Sequence, residues 1–193
     1  MQGTLKNKCE FSMAEICTKC YYPLNDKEGS LETIFQGIFV KTKFPKFINE
    51  KLYIRTNRNS KSTFARVSYD CIVEEIINKT LLPIKNIKVE VDSQEFGNYF
   101  DVYCKNKIIA MQLLTADVMQ FLIDFKKEIN IDYEITIKEN QVFIRFMSGE
   151  MFEPEWLSKY SMDKATMYRY YKMLDFTFSL TNKLMDVLRD TEV

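Results

Sequence analysis

The chain has 193 residues, of which 46% are hydrophobic and 14% aromatic, and its 27 acidic residues balance its 27 basic ones. That composition suits one folded domain, and the balanced charge argues against nucleic-acid binding, which needs a basic surface. Histidine, the commonest general base and zinc ligand, is absent from the sequence. We therefore expect no metal, no cofactor and no Ser-His or Cys-His catalysis. A non-enzymatic protein is favoured over a hydrolase that uses carboxylates or Cys104.

The five cysteines include a C-x-x-C pair, Cys17 and Cys20, in a segment that we predict to be a strand. Residues three positions apart on a strand lie on opposite faces, and structural zinc needs four ligands. We therefore interpret both as ordinary strand residues. No signal peptide precedes the cysteines, and no apolar run approaches the roughly 20 residues of a membrane-spanning helix. These features predict reduced thiols and a cytoplasmic protein.

The first predicted elements are strands. Residues 10–22 and 31–44 flank the turn-rich stretch 23–29 and predict a β-hairpin, and residues 51–56 predict a third strand. Both faces of TIFQGIFVKTKF, which ends at residue 44, are apolar, and this pattern is typical of a central strand that is covered on both sides. Gly37 predicts a bulge, or a place where a Phe ring packs over bare backbone.

A basic loop rich in Arg, Asn and Ser follows the third strand, over residues 55–66. Such a loop can hold phosphate or an anionic headgroup, or it can be a solvated connection. The candidate contacts with an anion are Arg55, Arg58, Lys61 and Arg66. Beyond the loop, residues 69–83 fit a helical spacing that Pro83 would end.

Two helices are predicted in the middle of the chain. Asp92 and Glu95 have the spacing of a capping box and predict the start of a short helix. Residues 115–130 predict a longer helix, because Thr115 is a suitable N-cap and two lysines in the last turn suit the helix dipole. The strands predicted around the short helix are residues 87–91 and 102–106.

Residues 133–146 show the clearest strand alternation. Their apolar positions change phase across Glu139 and Asn140, from odd-numbered to even-numbered residues. We interpret the two halves as the arms of a hairpin joined by these two residues, since Asn tolerates a positive φ.

The last segment, residues 163–190, has helical spacing with a heptad seam. The seam residues are Met167, Tyr171, Leu174, Phe178, Met185 and Leu188, with Thr181 as an interruption. The helix can pack on the sheet as the last core element, or it can pair with a partner helix or with its own copy.

Together these elements predict an α+β fold with a mainly antiparallel sheet, a central helix and a long C-terminal helix. We expect one domain over residues 1–193, in which 1–147 form a sheet-rich core, 148–162 a linker and 163–190 the C-terminal helix. The sheet also suits a barrel-like closure. In that case a hydrophobic pocket or core would be lined by Phe35, Phe39, Phe96 and Phe100.

Several segments in order resemble one family: EFSMAEI, TIFQGIFVKTKFPKF, DSQEFGNYFDVYCKNKIIAMQLLTADVMQFL, VFIRF and MFEP. They are similar to the bacterial family of the domain of unknown function 3137. The resemblance implies no catalytic residues, since that family is uncharacterised. It does imply an origin near membranes, because many members carry hydrophobic helices upstream of the domain, which would then lie on the cytoplasmic side.

The sequence thus predicts a non-enzymatic interaction or regulatory module that is related to membrane-associated proteins. Its partner would be another protein or a second copy bound through the C-terminal helix, and not nucleic acid. A peripheral membrane contact through the basic loop is a further hypothesis. The alternative is a domain that binds a small hydrophobic ligand in an interior pocket.

Overall fold

The computed structural model describes residues 1–4, 9–25, 28–57, 88–149 and 164–190. The helical pattern of residues 69–83 lies outside the described residues, as do the linker from residue 150 onward and the basic loop beyond Asn57, with Arg58, Lys61 and Arg66. The described strands are β1 (Gln2–Thr4), β2 (Glu10–Asn25), β3 (Glu28–Thr56), β4 (Lys88–Val89), β5 (Phe100–Cys104) and β6 (Tyr133–Phe146). The described helices are α1 (Gln94–Tyr99), α2 (Lys107–Leu113), α3 (Ala116–Ile129) and α4 (Lys164–Asp190).

The long strand β3 is the centre of an antiparallel sheet. β2 pairs with the first part of β3, and β5 pairs with its last part. β6 pairs with both parts of β3 along the opposite edge. β1 extends the sheet beyond β2, and β4 extends it beyond β5. The predicted α+β fold with a mainly antiparallel sheet and a long C-terminal helix is confirmed. The barrel-like closure is wrong, because the sheet stays open between β1 and β4 in the described part of the chain.

The predicted hairpin at Glu139 and Asn140 is wrong, because β6 continues in one direction through these residues. The half before them pairs with the end of β3, and the half after them pairs with residues 38–43 of the same strand. The change of phase arises from a register shift at this point, where Glu139 has a φ of 57°. The irregularity is longer in β3 than in β6. Between the pairs Lys43–Gln141 and Lys51–Lys138, β3 contains residues 44–50, whereas β6 contains only Glu139 and Asn140.

The β2–β3 hairpin is confirmed, and the strand predicted over residues 31–44 is central, but the separately predicted strand 51–56 is wrong as a third strand because it is the end of β3. The register shifts of this hairpin lie at the steps from Thr18 to Lys19 and from Pro23 to Asn25, and not at Gly37. Gly37 has a φ of 151°, and a Cβ atom there would lie 2.1 Å from the carbonyl oxygen of Phe146. The glycine is therefore required by the close approach of the β6 backbone, and no Phe ring packs over it among its nearest contacts.

The helix starts follow local capping chemistry. α3 begins as predicted, because the Thr115 side chain accepts a hydrogen bond from the backbone N–H of Val118. The N-cap of α1 is Ser93 rather than Asp92, so the predicted capping box is wrong by one residue. α2 was not predicted, although Asn106 caps its first turn.

All four helices lie on one face of the sheet. The strand residues on this face are mainly apolar, and Phe146, Tyr133 and Phe125 surround Phe176 of α4. The Phe125 and Phe176 rings stack at 3.9 Å between centroids. α4 is tied to β3 by a buried hydrogen bond of 3.1 Å between the hydroxyl groups of Thr42 and Thr181.

No single helix among the described residues has both the length and the hydrophobicity of a membrane span. Taken together, α2 and α3 reach that length and composition, but the two helices meet at a bend of 68°.

Candidate functional site: the polar face of the sheet

The face of the sheet opposite the helices carries the charged residues, and we call it the polar face. Residues paired directly across antiparallel strands share a face. Arg55 of β3 pairs with Asp101 of β5 on one side and with Glu134 of β6 on the other, so all three lie on the polar face. Arg145 of β6 pairs with Phe39 and joins them there. Strand alternation thus separates this charged surface from the apolar core by a single backbone layer.

Asp101 is the centre of a first cluster. Its carboxylate lies 2.7 Å from the Lys88 ammonium and 3.5 Å from Arg55 Nε, and its side chain is only 11% exposed. The Arg55 guanidinium also lies 5.1 Å from the centroid of the Tyr103 ring. The hydrogen bond from Lys88 to Asp101 raises the pKa of that ammonium. Arg55 is the predicted anion contact that the structure describes, and it is engaged with this carboxylate and this ring.

Glu134 is the centre of a second cluster. It is 4% exposed and forms an ion pair with Arg145. Burial raises the pKa of the Tyr53 hydroxyl well above its usual value, and the neighbouring Glu134 adds to that effect. Burial, followed by the positive charges of Lys138 and Arg145, lowers the pKa of Lys51.

The buried carboxylates of this face are engaged in ion pairs, and the candidate nucleophile lies elsewhere. Asp101 and Glu134 each form an ion pair with a neighbouring cation. Cys104, the candidate nucleophile, is fully buried on the helix side, and burial raises the pKa of its thiol. Within the described ranges no three His, Cys, Asp or Glu side chains gather as metal ligands.

The C-x-x-C pair remains a pair of free thiols in the structure. Cys17 and Cys20 lie on β2, where Cys17 is exposed and Cys20 is half-buried. The strand predicted for this segment is therefore confirmed.

The four candidate pocket residues fall on opposite sides of the sheet. Phe96 and Phe100 are buried on the helix side, with their ring centroids 4.9 Å apart. Phe39 lies on the polar face, where its ring centroid is 6.1 Å from that of Phe143, and alternation places Phe35 on the same face. The structure does not bring the four rings together, so they do not line a common pocket.

The heptad seam of α4 divides into two parts. Met185 and Leu188 are buried against the sheet, whereas Leu174 and Phe178 are half-buried. Met167 and Tyr171 are 56% and 60% exposed. The residues that fill the core come mainly from the neighbouring stripe of the helix: Met173, Phe176, Thr177, Leu180, Thr181 and Leu184.

The sequence reasoning missed most of the polar face. Asp101, Glu134 and Arg145 stand in strands between apolar neighbours, and a charge at such a position is the signal that could have found them. Their pairing could not be found in the same way, because Arg55 and Asp101 are far apart in sequence and meet only through the strand register.

Comparison with known families agrees with the resemblance in the sequence. A family model described as "Protein of unknown function (DUF3137)" matches residues 33–185. The chain belongs to this family. The match covers most of β3, all described elements from β4 to β6 and most of α4. No curated protein and no solved structure matches the chain.

Proposed function

We propose that this DUF3137 domain is a non-enzymatic interaction module that associates with a second copy of itself through the start of α4. The contact surface is the α4 patch, defined as Met167, Tyr168 and Tyr171. One observation carries the proposal: these three large side chains are 52% to 60% exposed, although the apolar residues of the same helix are buried or half-buried from Met173 onward. Large apolar groups side by side on a surface are typical of interaction sites.

The pattern of charge around the α4 patch favours a second copy as the partner. In an antiparallel pair of α4 helices centred between Arg169 and Tyr170, Tyr168 of each copy faces Tyr171 of the other. The same register places Lys164 of one copy opposite Asp175 of the other. Lys164 and Asp175 are both exposed, and neither forms an ion pair within the described residues. In this register the contact is complementary to itself in charge.

The neighbouring structure holds one patch residue in place for such a contact. The Tyr168 hydroxyl donates a hydrogen bond of 3.0 Å to Glu128 at the end of α3, and Lys172 forms a 2.7 Å ion pair with the same carboxylate. These interactions fix the first turns of α4 against α3, which lowers the entropy that association must overcome.

The size of the α4 patch sets the expected strength of the dimer. Two helical turns from each copy bury less than the roughly 1,200 Å² at the lower end of stable interfaces. We therefore expect reversible association with a dissociation constant of about 1 μM or weaker.

Sedimentation equilibrium over a concentration series tests this proposal. We expect a monomer–dimer equilibrium that Tyr171→Ser weakens at least tenfold, because the substitution removes the ring that faces Tyr168 of the other copy. Tyr21→Ser is the matched control, since Tyr21 is 58% exposed on the β2–β3 hairpin, away from α4.

The charge pair of Lys164 and Asp175 gives a sharper test. Lys164→Glu and Asp175→Lys should each weaken the dimer, and the two substitutions together should restore it. A wild-type chain that stays monomeric throughout, or a double variant with no recovery, would contradict the proposed contact.

Regulatory activity, a cytoplasmic location and a membrane contact through the basic loop stay predictions. The family match supports a domain of unknown function and does not address any of the three.

A further inference from the structure

A groove of about 570 Å³ opens on the polar face at the β1 end of the sheet. This volume falls within the range of about 300–1,000 Å³ that is usual for small-molecule sites. The groove lies away from the α4 patch, since its walls come from β1, β2, β3 and β6. Most of its lining side chains are amides, hydroxyls and charged groups.

The strand register brings the polar lining together in two rows. In the first row, Lys41 of β3 stands between Ser12 of β2 and Phe143 of β6. In the second row, Lys43 stands between Glu10 of β2 and Gln141 of β6. β1 extends both rows, because Gln2 pairs with Ser12 and Thr4 pairs with Glu10. Cross-strand partners share a face, so these side chains converge on one surface.

Several lysines in the described part of the chain form ion pairs, but the two lysines of the groove do not. Lys88, Lys126, Lys127, Lys172 and Lys183 each form an ion pair with a carboxylate. Neither Lys41 nor Lys43 has such a partner within the described residues, although Glu10 is directly across from Lys43. The Lys41 ammonium instead lies 5.7 Å from the centroid of the Phe143 ring. Two ammonium groups against one carboxylate leave the groove with an excess of positive charge.

We propose that this groove binds a phosphate ester that carries hydroxyl groups on its organic part. Lys41 and Lys43 are two residues apart on one strand, so their Cα atoms are about 7 Å apart and both ammonium groups can reach one phosphate. Ser12, Gln2 and Gln141 offer neutral donors and acceptors for the hydroxyl groups. The ligand is a soluble phosphate ester or the exposed headgroup of a glycerol phospholipid, since both present the same chemistry.

Isothermal titration calorimetry with the full chain tests the site, using glycerol 3-phosphate and glucose 6-phosphate as soluble probes. Co-sedimentation with phosphatidylglycerol vesicles, compared with phosphatidylcholine vesicles, tests the lipid source. We expect Lys41→Gln with Lys43→Gln to weaken binding of the preferred probe at least tenfold. Glu10→Gln should strengthen that binding about twofold to fivefold, because it removes the one negative charge. Lys105→Gln is the matched control, since Lys105 is exposed but outside the groove.

Each outcome of these experiments either supports or contradicts the proposed site. Binding of a soluble probe that the groove variants weaken and the control does not would support a phosphate-ester site. The same pattern with phosphatidylglycerol vesicles alone would assign the site to lipid headgroups. Absence of binding to every probe, or equal losses in the groove variants and in Lys105→Gln, would overturn the proposal. Circular dichroism of each variant checks that it is folded. None of these outcomes depends on whether the chain dimerises through α4.

Discussion

The two faces of the sheet differ in what they bury, although they are built from alternating residues of the same strands. On the helix side β3 contributes Ile38, Val40 and Thr42, each fully buried. The polar face holds Asp101 and Glu134, which are 9% and 4% exposed and are both paired with cations. The helix side gains stability from removing apolar surface from water, whereas burying ion pairs yields little net stability. The helix side therefore maintains the fold by apolar packing, while the polar face is held together by pairing of opposite charges.

The largest effect is expected from the centre of the helix side. Phe176→Ala should lower the free energy of unfolding by about 3–5 kcal/mol, because it leaves a cavity among four packed aromatic rings. The ring is 2% exposed and stacks on Phe125. Urea denaturation followed by circular dichroism measures the change. Phe47→Ala is the control, since Phe47 is 60% exposed and should change the free energy by less than about 0.5 kcal/mol.

The second prediction concerns the buried ion pair of the polar face. Glu134→Gln should lower the free energy of unfolding by about 2–3 kcal/mol, because Arg145 would lose a buried counter-charge. A double-mutant cycle with Arg145→Gln measures the coupling in denaturant unfolding, and we expect more than about 1 kcal/mol. A loss of unfolding free energy as large as that of Phe176→Ala would contradict the inference that the helix side contributes more to stability than the polar face. A coupling near zero would show that the pair is not a unit.

The local chemistry of single elements could be read from the sequence. Thr115, Asp117, Lys126 and Lys127 predicted the ends of α3, because capping and dipole effects act within one turn. The long-range arrangement could not be read in the same way. The phase change at Glu139 fits a two-residue turn as well as a bulge, and only pairing with β3, a distant segment, decides between them.

The candidate sites show the same limit. A heptad spacing gives the apolar side of a helix but not which part of it the sheet covers. Met185 therefore lies in the core and Met167 at the surface, although both belong to one seam. In the groove, Lys41 and Lys43 were visible only as alternating residues of a strand. Their lack of a carboxylate partner within the described residues depends on side-chain positions that strand pairing sets.

The third prediction tests a polar contact inside the helix side. The Thr181 hydroxyl donates its hydrogen to the carbonyl of Thr177, so Thr42 must be the donor in the hydrogen bond between the two threonines. Thr181→Val would leave that buried donor without an acceptor and should lower the free energy of unfolding by about 1–3 kcal/mol. Thr42→Val removes only one of two bonds to Thr181 and should cost less. Denaturant unfolding of both variants gives the order, and the reverse order would contradict this donor assignment.

The smallest effect concerns Lys51 on the polar face and depends on pH. Burial and two neighbouring cations lower the pKa of Lys51 in the folded chain, so the folded state disfavours its charged form. The unfolded chain then binds more protons between the lowered pKa and the ordinary value of about 10.4, and stability rises with pH across that window. At pH 7 the charge still opposes folding. Lys51→Met should therefore stabilise the protein there, by less than about 1 kcal/mol because solvent screens a partly exposed charge.

Urea unfolding at neutral pH and near the ordinary lysine pKa measures this difference, since titrations common to both proteins cancel when wild type and variant are compared. We expect the advantage of Lys51→Met to shrink as the pH rises, because wild-type Lys51 then loses its charge in both states. Lys138→Met removes one of the repelling cations, so in that background the gain from Lys51→Met at pH 7 should be smaller. An advantage that stays constant with pH would mean that apolar packing of the new Met, and not relief of charge, stabilises the polar face. The energetic contrast between the two faces would then be weaker than their composition implies.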